Sequence, residues 1–171
     1  LYAAPGNAGI AAHATCVTLN PENSADVLSF VRENDISFVI VGPEAPLAVG
    51  VADDLRDAGV LTFGPSKAAA RLEASKSFTK EICDAANAPT AAYGHFHDAK
   101  SAKAYVREHG VPIVVKADGL AAGKGVIVAM DLETALSAID DMFSGTFGGA
   151  GAEVVIEEFM EGEEASYFIL C

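Results

Sequence analysis

The 171-residue chain is 51% hydrophobic and 20% charged, with 16 Gly and 7 Pro, a composition of globular rather than disordered or collagen-like proteins. Lys and Arg number 11 against 24 Asp and Glu, a formal charge of −13 that repels nucleic-acid backbones and anionic membrane surfaces. A small phosphorylated ligand would need its charge met locally, by a few placed cations, backbone N–H groups or metal ions. The scattered cysteines Cys16, Cys83 and Cys171 form no C-x-x-C pair, which fits a reduced intracellular protein without a disulfide frame or a cysteine zinc site. No signal peptide and no apolar run near the roughly 20 residues of a membrane helix is visible.

Leu1–Ala4 reads as the tail of a strand. Asn23 or Ser24 can cap a helix to about Asn34, with Val27, Leu28 and Val31 on one face. The β-branched and aromatic run from Ser37 to Val41 predicts a strand buried on both faces, ended by Gly42-Pro43. A helix from Leu47 to Ala58, closed by Gly59, precedes a second strand, Val60–Phe63. This βαβαβ order implies a parallel sheet with helices on its faces.

Ser66 to Asn87 is predicted helical with a break near Glu73–Ser75. A strand at Ala92–Phe96, a helix from Asp98 to His109 and a strand at Val111–Lys116 follow. After the glycine-rich turn Gly119–Gly125 come a strand at Val126–Ala129 and a helix from Asp131 to about Phe143. Ser144–Gly151 is a loop, and Glu153–Phe159 and Ala165–Leu170 are two further strands. The hairpin across Gly119–Gly125 predicts an antiparallel sheet in this half. A boundary falls near residues 65–75, and the apolar, uncapped stop at Cys171 suggests a fragment or unseen flanks.

The richest segment is Val114-Val-Lys-Ala-Asp-Gly-Leu-Ala-Ala-Gly-Lys-Gly-Val126. Gly119, Gly123 and Gly125 permit backbone N–H groups to turn toward one anion, and Lys116 and Lys124 add charge. It is not a P-loop: only three residues separate Gly119 from Gly123, and Gly125 stands where Ser or Thr is required. A G-x-G-x-x-G fingerprint is absent too. A phosphate-covering loop and a glycine-rich hairpin with two solvated lysines both fit.

Val154-Val-Ile-Glu-Glu-Phe-Met-Glu-Gly-Glu-Glu-Ala-Ser166 is the second segment. An extended stretch can offer a carbonyl and an N–H to an adenine edge, with Phe159 and Met160 as walls and Glu164 on a ribose diol. An acidic hairpin facing water is the alternative. Lys76, at a predicted helix start, would by itself be a solvated lysine. Glu44 reads equally as a ligand contact or a solvated loop acid. His95 and His97 form H-x-H with no acidic or cysteine partner at ligand spacing, so they are expected to be exposed strand-end residues, and no metal site is assigned.

Five segments occur in order: Gly42-Pro-Glu-Ala-Pro-Leu47, Phe63-Gly-Pro-Ser66, Leu72-Glu-Ala-Ser-Lys76, the 114–126 run and the 155–166 run. Together with Pro5-Gly-Asn-Ala-Gly9 they closely resemble the phosphoribosylamine–glycine ligase (glycinamide ribonucleotide synthetase) family of ATP-grasp enzymes, over essentially the whole chain. The resemblance implies an α/β fold: residues 1–65 as part of a Rossmann-like pre-ATP-grasp domain, and residues 66–171 as part of an ATP-grasp domain with an antiparallel lid at about 89–157. It implies an ATP-dependent carbon–nitrogen ligase of purine biosynthesis, joining phosphoribosylamine and glycine through a glycyl phosphate. A different purine-pathway ATP-grasp ligase and a non-catalytic nucleotide-binding fragment are the rivals.

By the same resemblance Lys76 and Lys116, 40 positions apart, reach the nucleotide phosphates. The loop Gly119, Ala121, Gly123, Lys124 and Gly125 covers them. Glu157, Glu158, Phe159 and Met160 line the base, with the Glu158 and Met160 backbone on adenine, and Glu164 holds the ribose. Gly6, Asn7, Glu44, Ala45 and Pro46 are assigned to phosphoribosylamine. Magnesium and glycine ligands, and the family's Gly-Gly-Arg-Glu-His stretch, are absent from this segment, so the fragment alone is expected to be inactive. Small-molecule substrates, no nucleic acid and no membrane are expected as partners. The expected location is the cytoplasm, or a plastid for a plant-type source.

Overall fold

In the computed structural model, residues 1–120, 125–145, 153–167 and 169 are described. The chain divides into two compact units, Leu1–Ser75 and Lys76–Cys171.

The first unit holds two parallel strand pairs. β1 (Tyr2–Ala3) pairs with β2 (Thr15–Cys16), and β3 (Phe38–Ile40) pairs with β4 (Leu61–Phe63). The link between β1 and β2 is tight because Gly6 adopts φ +74°, and a Cβ there would lie 2.4 Å from Cys16 Sγ. Helix α1 (Ser24–Glu33) starts where Asn23 Oδ1 accepts the N–H groups of Ala25 and Asp26.

The expected helix from Leu47 to Ala58 is instead two, α2 (Glu44–Val49) and α3 (Val51–Asp57), broken at Gly50, whose φ is +102°. A left-handed residue ends α2, which only glycine does without strain. The Pro43 break also starts the helix earlier, so Glu44 and Ala45 stand in its first turn and not in a strand-end loop. A small core joins Val31 of α1 with Val51 and Leu55 of α3, and Val39 and Val41 pack on it.

β3 does not bury both faces. Phe38 and Ile40 are 53% and 67% exposed, and Leu61 and Phe63 of β4 are 71% and 51% exposed. The pleat sends alternate residues to opposite sides, and the described helices of this unit cover only the side of Val39 and Val41. An apolar groove of about 600 Å³ runs between Leu1–Ala4 and Phe38–Val41. Helix α4 (Lys67–Ala74) closes the unit, capped by Ser66, and the chain turns extended at Ser75.

The second unit begins with α5 (Lys76–Ala86) and is built on a four-stranded antiparallel sheet in the order β5-β8-β6-β7. These are β5 (Tyr93–Phe96), β6 (Ile113–Ala117), β7 (Val126–Ala129) and β8 (Val154–Glu158). Two helices, α6 (Ala99–His109) and α7 (Leu132–Phe143), start at the caps Asp98 and Asp131. Helix α7 buries Ala135, Ala138, Ile139 and Met142, the spacing of one helical face. They meet Ala102 and Val106 of α6 over Ile113, Val115, Ala117, Val154 and Ile156.

The alternate residues Val114, Lys116, Val155 and Glu157 therefore face the other side, which carries the polar chemistry. The strand expected at Ala165–Leu170 is not formed by the described residues 165–167 and 169. Tyr167 and Ile169 are 88% and 68% exposed, and no strand among the described residues pairs with them. No described helix is long and apolar enough to cross a membrane.

Candidate functional site

The site is organised by Asp118, the residue after β6. Its Oδ1 accepts the backbone N–H of Lys76 at 2.5 Å and of Ser77 at 3.2 Å, and its Oδ2 accepts the Ser77 hydroxyl at 2.9 Å. It thereby acts as a helix cap supplied from 41 and 42 positions away, satisfying the first N–H groups of α5. Its own N–H donates to the Glu153 carbonyl at 2.9 Å, which ties the cap to the start of β8. The Lys76 ammonium donates to the Gly119 carbonyl at 3.1 Å. Lys76 and the first glycine of the loop thus meet.

On the polar face of the sheet, Lys116 of β6 donates to Glu157 Oε2 of β8 at 2.7 Å. The second oxygen of Glu157 lies 3.5 Å from Lys80 of α5. Lys80 is buried, and its ammonium also donates to Thr90 Oγ1 at 2.7 Å and to the Ala91 carbonyl at 3.0 Å. A buried ammonium needs this full set of acceptors, because an unpaired one costs several kcal/mol. Three lysines and two carboxylates leave one formal positive charge in a chain of net −13. That local surplus fits an anionic ligand, and the amides of Lys76 and Ser77 are already taken by Asp118. The attraction therefore comes from side-chain ammonium groups and not from the helix terminus.

Lys76, Lys116, Gly119 and Glu157 of the predicted set belong to this constellation, whereas Gly123, Lys124 and Ala121 lie outside the described residues. Gly125 is held where its carbonyl accepts the Ala117 N–H at 2.8 Å. Glu158 continues the sheet: its N–H donates to the Ala92 carbonyl at 2.9 Å, and its Oε1 accepts the Ala92 N–H at 3.0 Å. Phe159 follows, half-buried, and Met160 is 67% exposed. Glu164 is exposed beyond them.

The first-unit residues stand in different settings. Asn7 Oδ1 accepts the Ile10 N–H at 2.9 Å, Glu44 is exposed, and Pro46 is buried in α2. Gly6 makes the close approach to Cys16 described above.

Lys80, Asp118 and Ser77 were not singled out by the sequence. Asp118 sits inside the Lys-Ala-Asp-Gly run, but its partners are far along the chain, and Lys80 looks like any helical lysine until Glu157 is placed beside it. The histidines require a correction. An acidic partner does stand near His95 and His97: Glu153 Oε2 is 2.8 Å from His95 Nε2, and its Oε1 is 3.6 Å from His97 Nδ1. The antiparallel β5–β8 register brings them together, and sequence spacing cannot show it.

Comparison with known proteins bears on the whole chain. Residues 1–73 match the phosphoribosylglycinamide synthetase N domain, and residues 74–171 match the phosphoribosylglycinamide synthetase ATP-grasp (A) domain. The chain is 63% identical to phosphoribosylamine–glycine ligase of Agrobacterium fabrum over 99% of its length and 40% of that protein. It is 57% identical to the chloroplastic phosphoribosylamine–glycine ligase of Arabidopsis thaliana over 98% of its length and 32% of that protein. The crystal structure of phosphoribosylamine–glycine ligase from Thermotoga maritima superposes with a TM-score of 0.74 at 26% identity, over 93% of this chain and 37% of that one. The chain thus spans about 40% of the length of the first curated relatives it matches. With both family models matched end to end across its length, the chain belongs to the phosphoribosylglycinamide synthetase family.

Proposed function

We propose that this chain is the nucleotide-gripping portion of an ATP-dependent ligase that joins 5-phosphoribosylamine and glycine in purine biosynthesis, with ADP and phosphate released. The relatives carry that name, and the carrying observation is the convergence of Lys76, Lys116, Asp118 and Gly119 at the start of the glycine loop. Residues 1–65 are read as part of the N-terminal domain and residues 66–171 as part of the ATP-grasp domain, with the lid at about 89–157.

The donor set fits a polyphosphate. Lys76 and Lys116 would neutralise phosphate oxygens, Gly119–Gly125 with Lys124 would fold over them, and Glu164 would take the ribose hydroxyls. Glu157–Met160 would line the base, with the Glu158 carbonyl and Met160 N–H on the adenine edge. Glu44, with Gly6, Asn7 and Ala45, would contact phosphoribosylamine. Pro46, buried in α2, would contribute to the same contact. Phosphoryl transfer depends on placed charge rather than on a covalent partner, and exclusion of water protects an acyl phosphate. Magnesium, implied by the fold family, would be held by residues outside this segment. The protein would lie in the cytoplasm, or in a plastid for a plant-type source, the Arabidopsis thaliana relative being chloroplastic by name.

Calorimetric titration of ATP tests the reading. Lys116→Ala should weaken affinity roughly tenfold or more, the worth of a charge-assisted hydrogen bond. Unchanged affinity refutes the phosphate role.

A further inference from the structure

We propose that His95, His97 and Glu153 form a binding site for a divalent transition-metal cation of the zinc class, separate from the nucleotide grip. Phe96 pairs with Val154 and His95 with Val155, so the next pair in this antiparallel register sets His97 across from Glu153. His95, two positions back, projects on the same side. The two rings lie 4.6 Å apart, and one ligand atom from each of the three residues falls within 4.8 Å of the others.

A zinc ion with ligands at roughly 2.0–2.2 Å in a tetrahedron sets ligand atoms about 3.4 Å apart. Glu153 Oε2 and His95 Nε2, at 2.8 Å, and Glu153 Oε1 and His97 Nδ1, at 3.6 Å, bracket that spacing. Small side-chain rotations close the remainder. The frame beneath is fixed, because the Glu153 carbonyl accepts the Asp118 N–H at 2.9 Å and His95 sits within β5.

The chemistry selects the ion. Two imidazoles and one carboxylate suit zinc, copper and nickel, whereas magnesium and calcium prefer all-oxygen sets. The side chains are 24% exposed for His95, 69% for His97 and 42% for Glu153, so a cation enters from solvent and keeps an open position for water. A simple His–Glu hydrogen bond accounts for His95 alone. It leaves unexplained a second imidazole turned to the other oxygen of the same carboxylate. A bound cation would clasp the edge strand β5 to β8.

Calorimetric titration of zinc chloride into the metal-free 171-residue chain tests this. About one equivalent should bind, with magnesium chloride giving no comparable heat. His97→Gln and Glu153→Gln should each weaken that event roughly tenfold or more, and His95→Gln with His97→Gln together should abolish it. His13→Gln and His109→Gln should leave it unchanged. Copper(II) loaded on the unaltered chain should show two coordinated imidazole nitrogens by electron paramagnetic resonance, a readout that needs no variant to fold. Zinc binding that survives the double histidine variant, or copper with fewer than two imidazoles, overturns the site.

Discussion

Asp118→Ala removes the carboxylate that caps α5. Three donors lose their acceptor: the Lys76 N–H, the Ser77 N–H and the Ser77 hydroxyl. Each bond to a charged acceptor is worth about 1.5–3 kcal/mol when desolvated, and water reaching this partly buried helix end lowers that to about 1 kcal/mol. The sum is about 3 kcal/mol. For a unit of roughly 100 residues, each kcal/mol moves the melting point by about 4–8 °C, so the variant should melt about 12–24 °C lower. Asp118→Asn keeps one acceptor and the side-chain volume, and should lose about half as much. The assay is a thermal scan by circular dichroism, joined to amide exchange at Lys76 and Ser77. Exchange at those two amides should accelerate most, since the helix frays from its first turn. ATP affinity should fall as well, because the main chain that carries the Lys76 ammonium is no longer fixed. An alanine variant within about 0.5 kcal/mol of the parent, with exchange at both amides unchanged, would refute the capping role.

Other perturbations read other contacts. Glu157→Ala takes the carboxylate from the Lys80 ammonium, whose side chain is only 7% exposed, leaving it the neutral acceptors Thr90 Oγ1 and the Ala91 carbonyl, and should cost about 3–5 kcal/mol in urea unfolding; a loss under about 1 kcal/mol would mean the pair contributes little. Gly50→Ala forces a side chain into φ +102° with its Cβ 3.3 Å from Lys67 Cδ, and should cost about 1–2 kcal/mol; an unchanged urea midpoint would contradict that strain. Tyr93 donates to Asp84 Oδ2 at 2.7 Å, and that bond, with the nearby negative charge, pushes its phenol up to about 12. Because the folded state holds this proton more tightly than the unfolded state, the stabilisation is complete below pH 10 and fades as pH rises toward 12. The phenolate absorbance should show Tyr93 titrating late, alongside Tyr105, whose phenol burial also pushes up, and Asp84→Asn should bring Tyr93 alone back down.

The fold was legible where a signal is local. Asn23, Ser66, Asp98 and Asp131 announce helix starts, and each accepts the backbone N–H it should. The glycine-rich run between Lys116 and Val126 announces a hairpin, and β6 and β7 pair across it. The failures come from context. A run such as Ser37–Val41 carries enough hydrophobicity for two buried faces, but the pattern cannot report what covers each face, and the Phe38 side is open in this unit. Likewise Gly50 reads as tolerable within a helix, while its left-handed backbone divides one predicted helix into two.

The candidate site divides along the same line. Lys76, Lys116 and Gly119 were reachable because motif wording carried them. Asp118, Lys80 and Glu153 act through partners 10 to 77 positions away, as Lys80 does with Glu157 and Glu153 with His95. Their meaning is set by strand register, since a shift of one residue along β8 would carry Glu157 and Glu153 to the face packed by α6 and α7. There Glu157 would lie among Ala, Ile and Met side chains with no cation in reach, a cost that itself opposes the shift. The apolar residues Val154 and Ile156 therefore select the register that sets the polar ones: the core, by choosing its own partners, positions the lysine–carboxylate pair on one side of the sheet and the two imidazoles beside Glu153 at its end.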